Sequence, residues 1–140
     1  MRFMVLVPAS KESEAGTMPT EAELLEMNVF NQELINAGVM LSGEGLQPTS
    51  KGARIDFASG KPKIIDGPFT ESKELIAGFW LVQAKSLEEV KERFKRAPFK
   101  EGYIEIRQIF SSEDFEPVIK TEAGRAMLEA EDEFRKQHNV

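Results

Sequence analysis

The stretch Asp66-Gly67-Pro68-Phe69-Thr70-Glu71-Ser72-Lys73-Glu74-Leu75 leads into the apolar run Gly78-Phe79-Trp80-Leu81-Val82. Aspartate bonds its own backbone, glycine takes unusual φ values and proline holds φ near about −65°, so Asp66-Gly67-Pro68 predicts a tight turn at a strand end. Thr70 predicts the cap of a short helical turn, with Glu71 and Glu74 where the helix dipole favours carboxylates. A turn that sets carboxylates beside an aromatic strand has two readings. It is a well-built corner, or it is the lip of a ligand pocket.

Working upstream, Ala53, Ile55 and Phe57 alternate with Arg54 and Asp56, and Ser59-Gly60 supplies the turn before Lys63-Ile64-Ile65 returns. That is a hairpin, and it puts Asp66 at its exit. Before it, residues 39–43 or a little beyond form a strand. The preceding helix starts at a capping box of Thr20 and Glu23, carries Leu24, Met27, Phe30 and Leu34 at helical spacing, and ends at Gly38. Ser10 to Gly16 reads as a mobile polar loop, and Arg2 to Val7 as the first strand, stopped by Pro8. Downstream, the Gly78–Ala84 strand precedes a helix capped by Ser86 and Glu89, with Leu87, Val90 and Phe94 inward and Pro98 at its end. Tyr103 to Phe110 is the last strand, with Ile104 and Ile106 on one face and Glu105 and Arg107 on the other. Without the hairpin, the order is strand-helix-strand-strand-helix-strand, the ferredoxin-like α+β arrangement.

The first strand is apolar on both faces (Phe3, Val5, Val7 and Met4, Leu6), and Phe79, Leu81 with Trp80, Val82 repeat this. Two helices cover only one face of a small sheet. A homodimer with sheets face to face would cover the other, and so would a C-terminal segment folded back over it; the dimer is the preferred expectation.

The 140 residues fit one domain, read as residues 1–112 with 113–140 as an acidic helical extension. The net charge of -6 disfavours nonspecific binding to nucleic acid or anionic membrane. Residues 113–140 hold 8 acids and 4 bases, against 16 and 14 in the first 112, so the acidity lies mainly in the tail. Absence of cysteine excludes disulfides, thiolate metal sites and a cysteine nucleophile. The single histidine, His138, lies in the tail, which argues against a Ser-His-Asp triad or a histidine zinc site. For the same reasons no metal is expected, and no nucleotide cofactor either, since no helix follows the glycines of residues 38–45. The start Met-Arg-Phe-Met-Val-Leu-Val is too short for a signal peptide or a membrane span, so a cytoplasmic location is expected.

Asp66-Gly67-Pro68-Phe69 with Thr70-Glu71-Ser72-Lys73-Glu74 resembles the signature of the DGPF branch of the YCII-related proteins. Ser42-Gly43-Glu44-Gly45-Leu46-Gln47-Pro48 and Ile104-Glu105-Ile106-Arg107-Gln108-Ile109-Phe110 agree with it, and the resemblance covers residues 1–116. It implies a dimeric α+β barrel of ferredoxin-like protomers. It also implies enzymatic activity through a histidine-aspartate pair in a cleft, with Asp66 as the aspartate, and one relative is similar to a dehydrochlorinase acting on a chlorinated aromatic. The histidine expected on the first helix is missing: Glu23, Glu26 and Glu33 are the titratable groups there, and a carboxylate does not replace an imidazole. Members of this branch are often associated with alternative sigma factors.

Three functions stay open. The first is a cofactor-independent small-molecule enzyme of lyase or isomerase type, with Asp66 as general acid or base in an apolar pocket walled by Trp80. Glu44 between two glycines, Arg54, Glu71 and Lys73 would bind its substrate. The second is a non-catalytic ligand-binding or regulatory protein linked to an alternative sigma factor. The third is an interaction protein that uses the tail. There Glu113 to Pro117 reads as a linker and Thr121 to Gln137 as an amphipathic helix, with Met127, Ala130 and Phe134 on the face that docks on the body or on a protein partner.

Overall fold

The computed structural model describes residues 1–140, the side chain of Ser72 excepted. Strands β1 (Arg2–Pro8), β2 (Met40–Gly45), β5 (Ile76–Gln83) and β6 (Glu105–Gln108) form an antiparallel sheet in the order β2-β5-β1-β6. Strands β3 (Ala53–Asp56) and β4 (Lys63–Asp66) form a separate hairpin. Helix α2 (Glu21–Asn36) joins β1 to β2 with β5 between them, and α3 (Leu87–Phe94) joins β5 to β6 with β1 between them. This is the ferredoxin-like fold with an inserted hairpin. No described helix is long and apolar enough to cross a membrane.

The ends of α2 follow from its sequence. The Thr20 hydroxyl accepts the Glu23 N–H at 3.2 Å while the Glu23 carboxylate accepts the Thr20 N–H at 3.2 Å, and Gly38 leaves the helix at φ +70°. The helix-side face of the sheet presents Phe3, Val5, Trp80 and Val82, which bury Phe30 and Leu34 of α2 and Val90 and Phe94 of α3. The rings of Phe30, Phe94 and Phe99 meet Trp80 edge-on, with centroids 5.9, 5.3 and 6.2 Å away. The indole N–H donates to Asn31 Oδ1 at 2.8 Å, so the ring is buried without an orphan donor.

The other face has an apolar centre and polar edges. Cross-strand pairing sets Ser42, Leu81, Met4 and Arg107 in one row and Glu44, Phe79, Leu6 and Glu105 in the next. Met4, Leu6, Phe79 and Leu81 remain half-buried, in contrast to Phe3 and Val5.

Three local expectations are corrected. Ser10 to Gly16 is not a loop throughout: Ser10 and Ser13 cap each other and form the short helix α1 (Lys11–Glu14). Leu24 and Leu87 lie half outside, at 53% and 37% exposure, because α2 and α3 each offer the sheet only one narrow face. Residues 113–117 are no open linker either: Asp114 caps Ser111, giving α4 (Ser112–Phe115) and a 3-10 turn, Glu116–Val118.

The tail helix α5 (Glu122–His138) forms as expected, capped by Thr121, but its buried residue is Leu128. Met127 and Phe134 are 47% and 58% exposed. Each residue turns a helix by about 100°, so seating Leu128 swings its neighbour Met127 out of the contact.

Candidate functional site

Gly67 sits so close to the Thr49–Lys51 turn that a Cβ on it would lie 1.7 Å from the Thr49 carbonyl oxygen. Only glycine fits. The Gly67 N–H donates to the Gly52 carbonyl at 3.0 Å, the Gly67–Pro68 peptide is cis, and the Phe69 N–H donates to the Thr49 hydroxyl at 3.0 Å. The Arg54 guanidinium covers the Phe69 ring at 3.9 Å from its centroid, a cation–π contact. The turn is thus clamped to Thr49.

Thr49 is clamped in turn to α1. Its N–H donates to Glu14 Oε1 at 3.2 Å and its hydroxyl to Glu14 Oε2 at 2.6 Å. Both residues are half-buried, and these bonds hold the carboxylate in one orientation. Glu14 also lines a cleft of about 820 Å³. One wall is the chain after α1, including Thr17 and Met18; the other includes Leu46, Gln47 and Lys51. The cleft is larger than the grooves of about 500 and 520 Å³ beside α5. Glu14 and Lys51 are its ionisable wall residues.

The site residues expected from the sequence do not line this cleft. Asp66 is exposed at the last position of β4, opposite Ala53. Arg54 is on the neighbouring strand, held over Phe69. Glu71 and Lys73 are exposed around the 3-10 turn Ser72–Glu74. Glu44 projects from β2 opposite Phe79. Trp80, for which core packing was the first expectation and a pocket wall the second, is a core residue at 5% exposure, with three rings and Asn31 around it. None of the six lines the cleft. On α2, Glu23 is committed to Thr20 and Glu33 pairs with Arg96, while Glu26 is exposed. No described cluster of histidine, aspartate and glutamate is arranged to hold a metal ion.

Glu14 is the last residue of α1, inside the segment whose polar composition predicts a loop. The signal was the capping pair Ser10 and Ser13, which starts a helix, with Gly16 at φ +81° just beyond its end.

Residues 1–113 match the YCII-related domain. An uncharacterised protein of Rhizobium meliloti (strain 1021) is 30% identical over 69 residues, which is 49% of this chain and 56% of that protein. The chain therefore spans little more than half the length of this curated relative. Among solved structures, the 5-chloro-2-hydroxyhydroquinone dehydrochlorinase of Burkholderia phenoliruptrix AC1100, in complex with 2,5-dihydroxybenzoquinone, aligns over 81% of this chain and 98% of its own. The two are 14% identical, with a TM-score of 0.40.

Proposed function

The chain belongs to the YCII-related domain family, and from that premise we propose that it is a cofactor-independent enzyme performing acid–base chemistry, of lyase or isomerase type, on a small molecule bound beside Glu14. The observation that carries this reading is the Glu14 carboxylate, oriented by Thr49 on the wall of the 820 Å³ cleft. Each oxygen accepts one bond from Thr49 and keeps a lone pair, so the group can take a proton from a substrate and return it. Lys51 on the same cleft favours substrates that are anionic or become so in the reaction. The DGPF turn acts through another residue: it fixes Thr49, and Thr49 fixes Glu14. Asp66 then takes the turn reading.

The apolar centre of the open sheet face supports a homodimer with sheets face to face. Light scattering at micromolar concentration should give about twice 15.7 kDa; a monomer that binds no hydrophobic dye would contradict this.

The enzyme reading is tested by screening small aromatic and carboxylic acids for binding and conversion, then comparing Glu14→Gln with Asp66→Asn. Turnover lost in Glu14→Gln and kept in Asp66→Asn, with both folded, supports it. Ligands that bind in the cleft and are never converted would move the protein to the non-catalytic, regulatory class. Loss in Asp66→Asn alone would return the chemistry to the turn.

A further inference from the structure

The Thr49–Lys51 turn brings two opposite charges to one cleft. Thr49 holds the Glu14 carboxylate, and Lys51, two residues later, lines the same cleft as Glu14. A 3-10 turn advances about 2 Å per residue, so the Lys51 backbone stands about 4 Å along the turn from that of Thr49. A lysine stem covers that distance easily. Among the described residues, however, no ion pair joins Glu14 and Lys51. A base and a cation thus share the cleft without cancelling each other.

Apolar side chains stand on both walls. Met18 on one and Leu46 on the other are 78% and 49% exposed, and a ligand with an apolar body would cover both. Lys51 is the one cation and Glu14 the one acid among the described wall residues. That pair suits a single anionic oxygen at Lys51, whereas a second one would meet the Glu14 charge. Phosphorylated and polycarboxylate molecules therefore fit poorly.

A carboxylate is a weak base and takes a proton from carbon only where a neighbouring carbonyl acidifies it. We propose that the cleft accepts small molecules with an apolar body and an enolisable carbonyl. Glu14 removes the proton from the carbon beside the carbonyl. The C–H electron pair becomes the C=C bond of an enolate, and the C=O pair moves to oxygen, opposite the Lys51 ammonium. Protonated Glu14 then gives its proton to another carbon of a conjugated anion, which is an isomerisation. Alternatively it protonates a group that leaves the β carbon as the carbonyl re-forms, which is an elimination. This rests on the acid–base reading above and names its substrate class.

Hydrogen exchange tests it without knowledge of the natural substrate. Phenylpyruvate has an apolar ring, an enolisable methylene and one carboxylate. In deuterium oxide, proton NMR should show its methylene signal fading faster with the protein than in buffer alone. Glu14→Gln should lower the catalysed rate on the order of a hundredfold. Lys51→Gln should lower it on the order of tenfold, while Lys51→Arg, which keeps the charge, retains most of it. Circular dichroism checks each fold, and if Glu14→Gln does not fold, the two Lys51 variants decide. No exchange of phenylpyruvate, beside Glu14-dependent conversion of an acid without a carbonyl, would overturn the substrate class and leave the acid–base reading standing. Exchange indifferent to Glu14→Gln and Lys51→Gln would overturn both.

Discussion

Glu14 and Thr49 are joined twice, the backbone N–H donating to one carboxylate oxygen at 3.2 Å and the hydroxyl to the other at 2.6 Å. Thr49 also accepts the Phe69 N–H at 3.0 Å, so one hydroxyl links three segments far apart in sequence. A change in the turn therefore reaches the cleft wall through Thr49, with no residue of the turn lining the cleft.

Gly67→Ala tests that linkage. Its Cβ would meet the Thr49 carbonyl oxygen at 1.7 Å, and backbone cannot yield as a flexible side chain does. Urea unfolding should show a loss of about 3 kcal/mol or more. Gly52→Ala is the control: its Cβ would be 3.6 Å from the same oxygen at φ −119°, so the cost should stay below about 1 kcal/mol.

Asn31→Ala should destabilise the fold by about 1–3 kcal/mol, because it leaves the buried Trp80 N–H without its acceptor. Unfolding followed by the fluorescence of this single tryptophan measures it. No loss of stability would show that the indole finds another acceptor.

The start of α2 should be pH-dependent. The Glu23 carboxyl is held below its ordinary value of 4.5, first by the Thr20 backbone N–H and then by its hydroxyl. A depressed folded-state value means that the stabilisation is fully present above the ordinary carboxylate value and is lost as pH falls through the folded one. Glu23→Gln should therefore lower the melting temperature at pH 7 and lose its effect in strong acid. A difference that persists unchanged at low pH would contradict the assignment.

The core strands and helices were legible because the alternation of Phe3 and Val5 and the spacing of Phe30 and Leu34 are local patterns that tertiary packing preserved. The exit of the hairpin at Asp66 was legible from turn chemistry. Trp80 kept two readings, core packing and pocket wall, because a lone tryptophan beside a turn does not reveal which face of its strand the helices cover. The pairing of Glu14 with Thr49 was not legible because the two lie 35 residues apart and meet only in the fold. For the same reason Leu128 could not be preferred over Met127: both lie on the apolar side of α5, and the body of the protein selects between them.

Amide chemical-shift mapping with small aromatic and carboxylic acids tests the central claim most directly. The account predicts shifts concentrated at Thr17, Gln47 and Lys51 around the cleft, which fade in Glu14→Gln and persist in Asp66→Asn. Shifts centred on Asp66, Glu71 and Lys73, abolished by Asp66→Asn and indifferent to Glu14→Gln, would contradict it and make the turn itself the site.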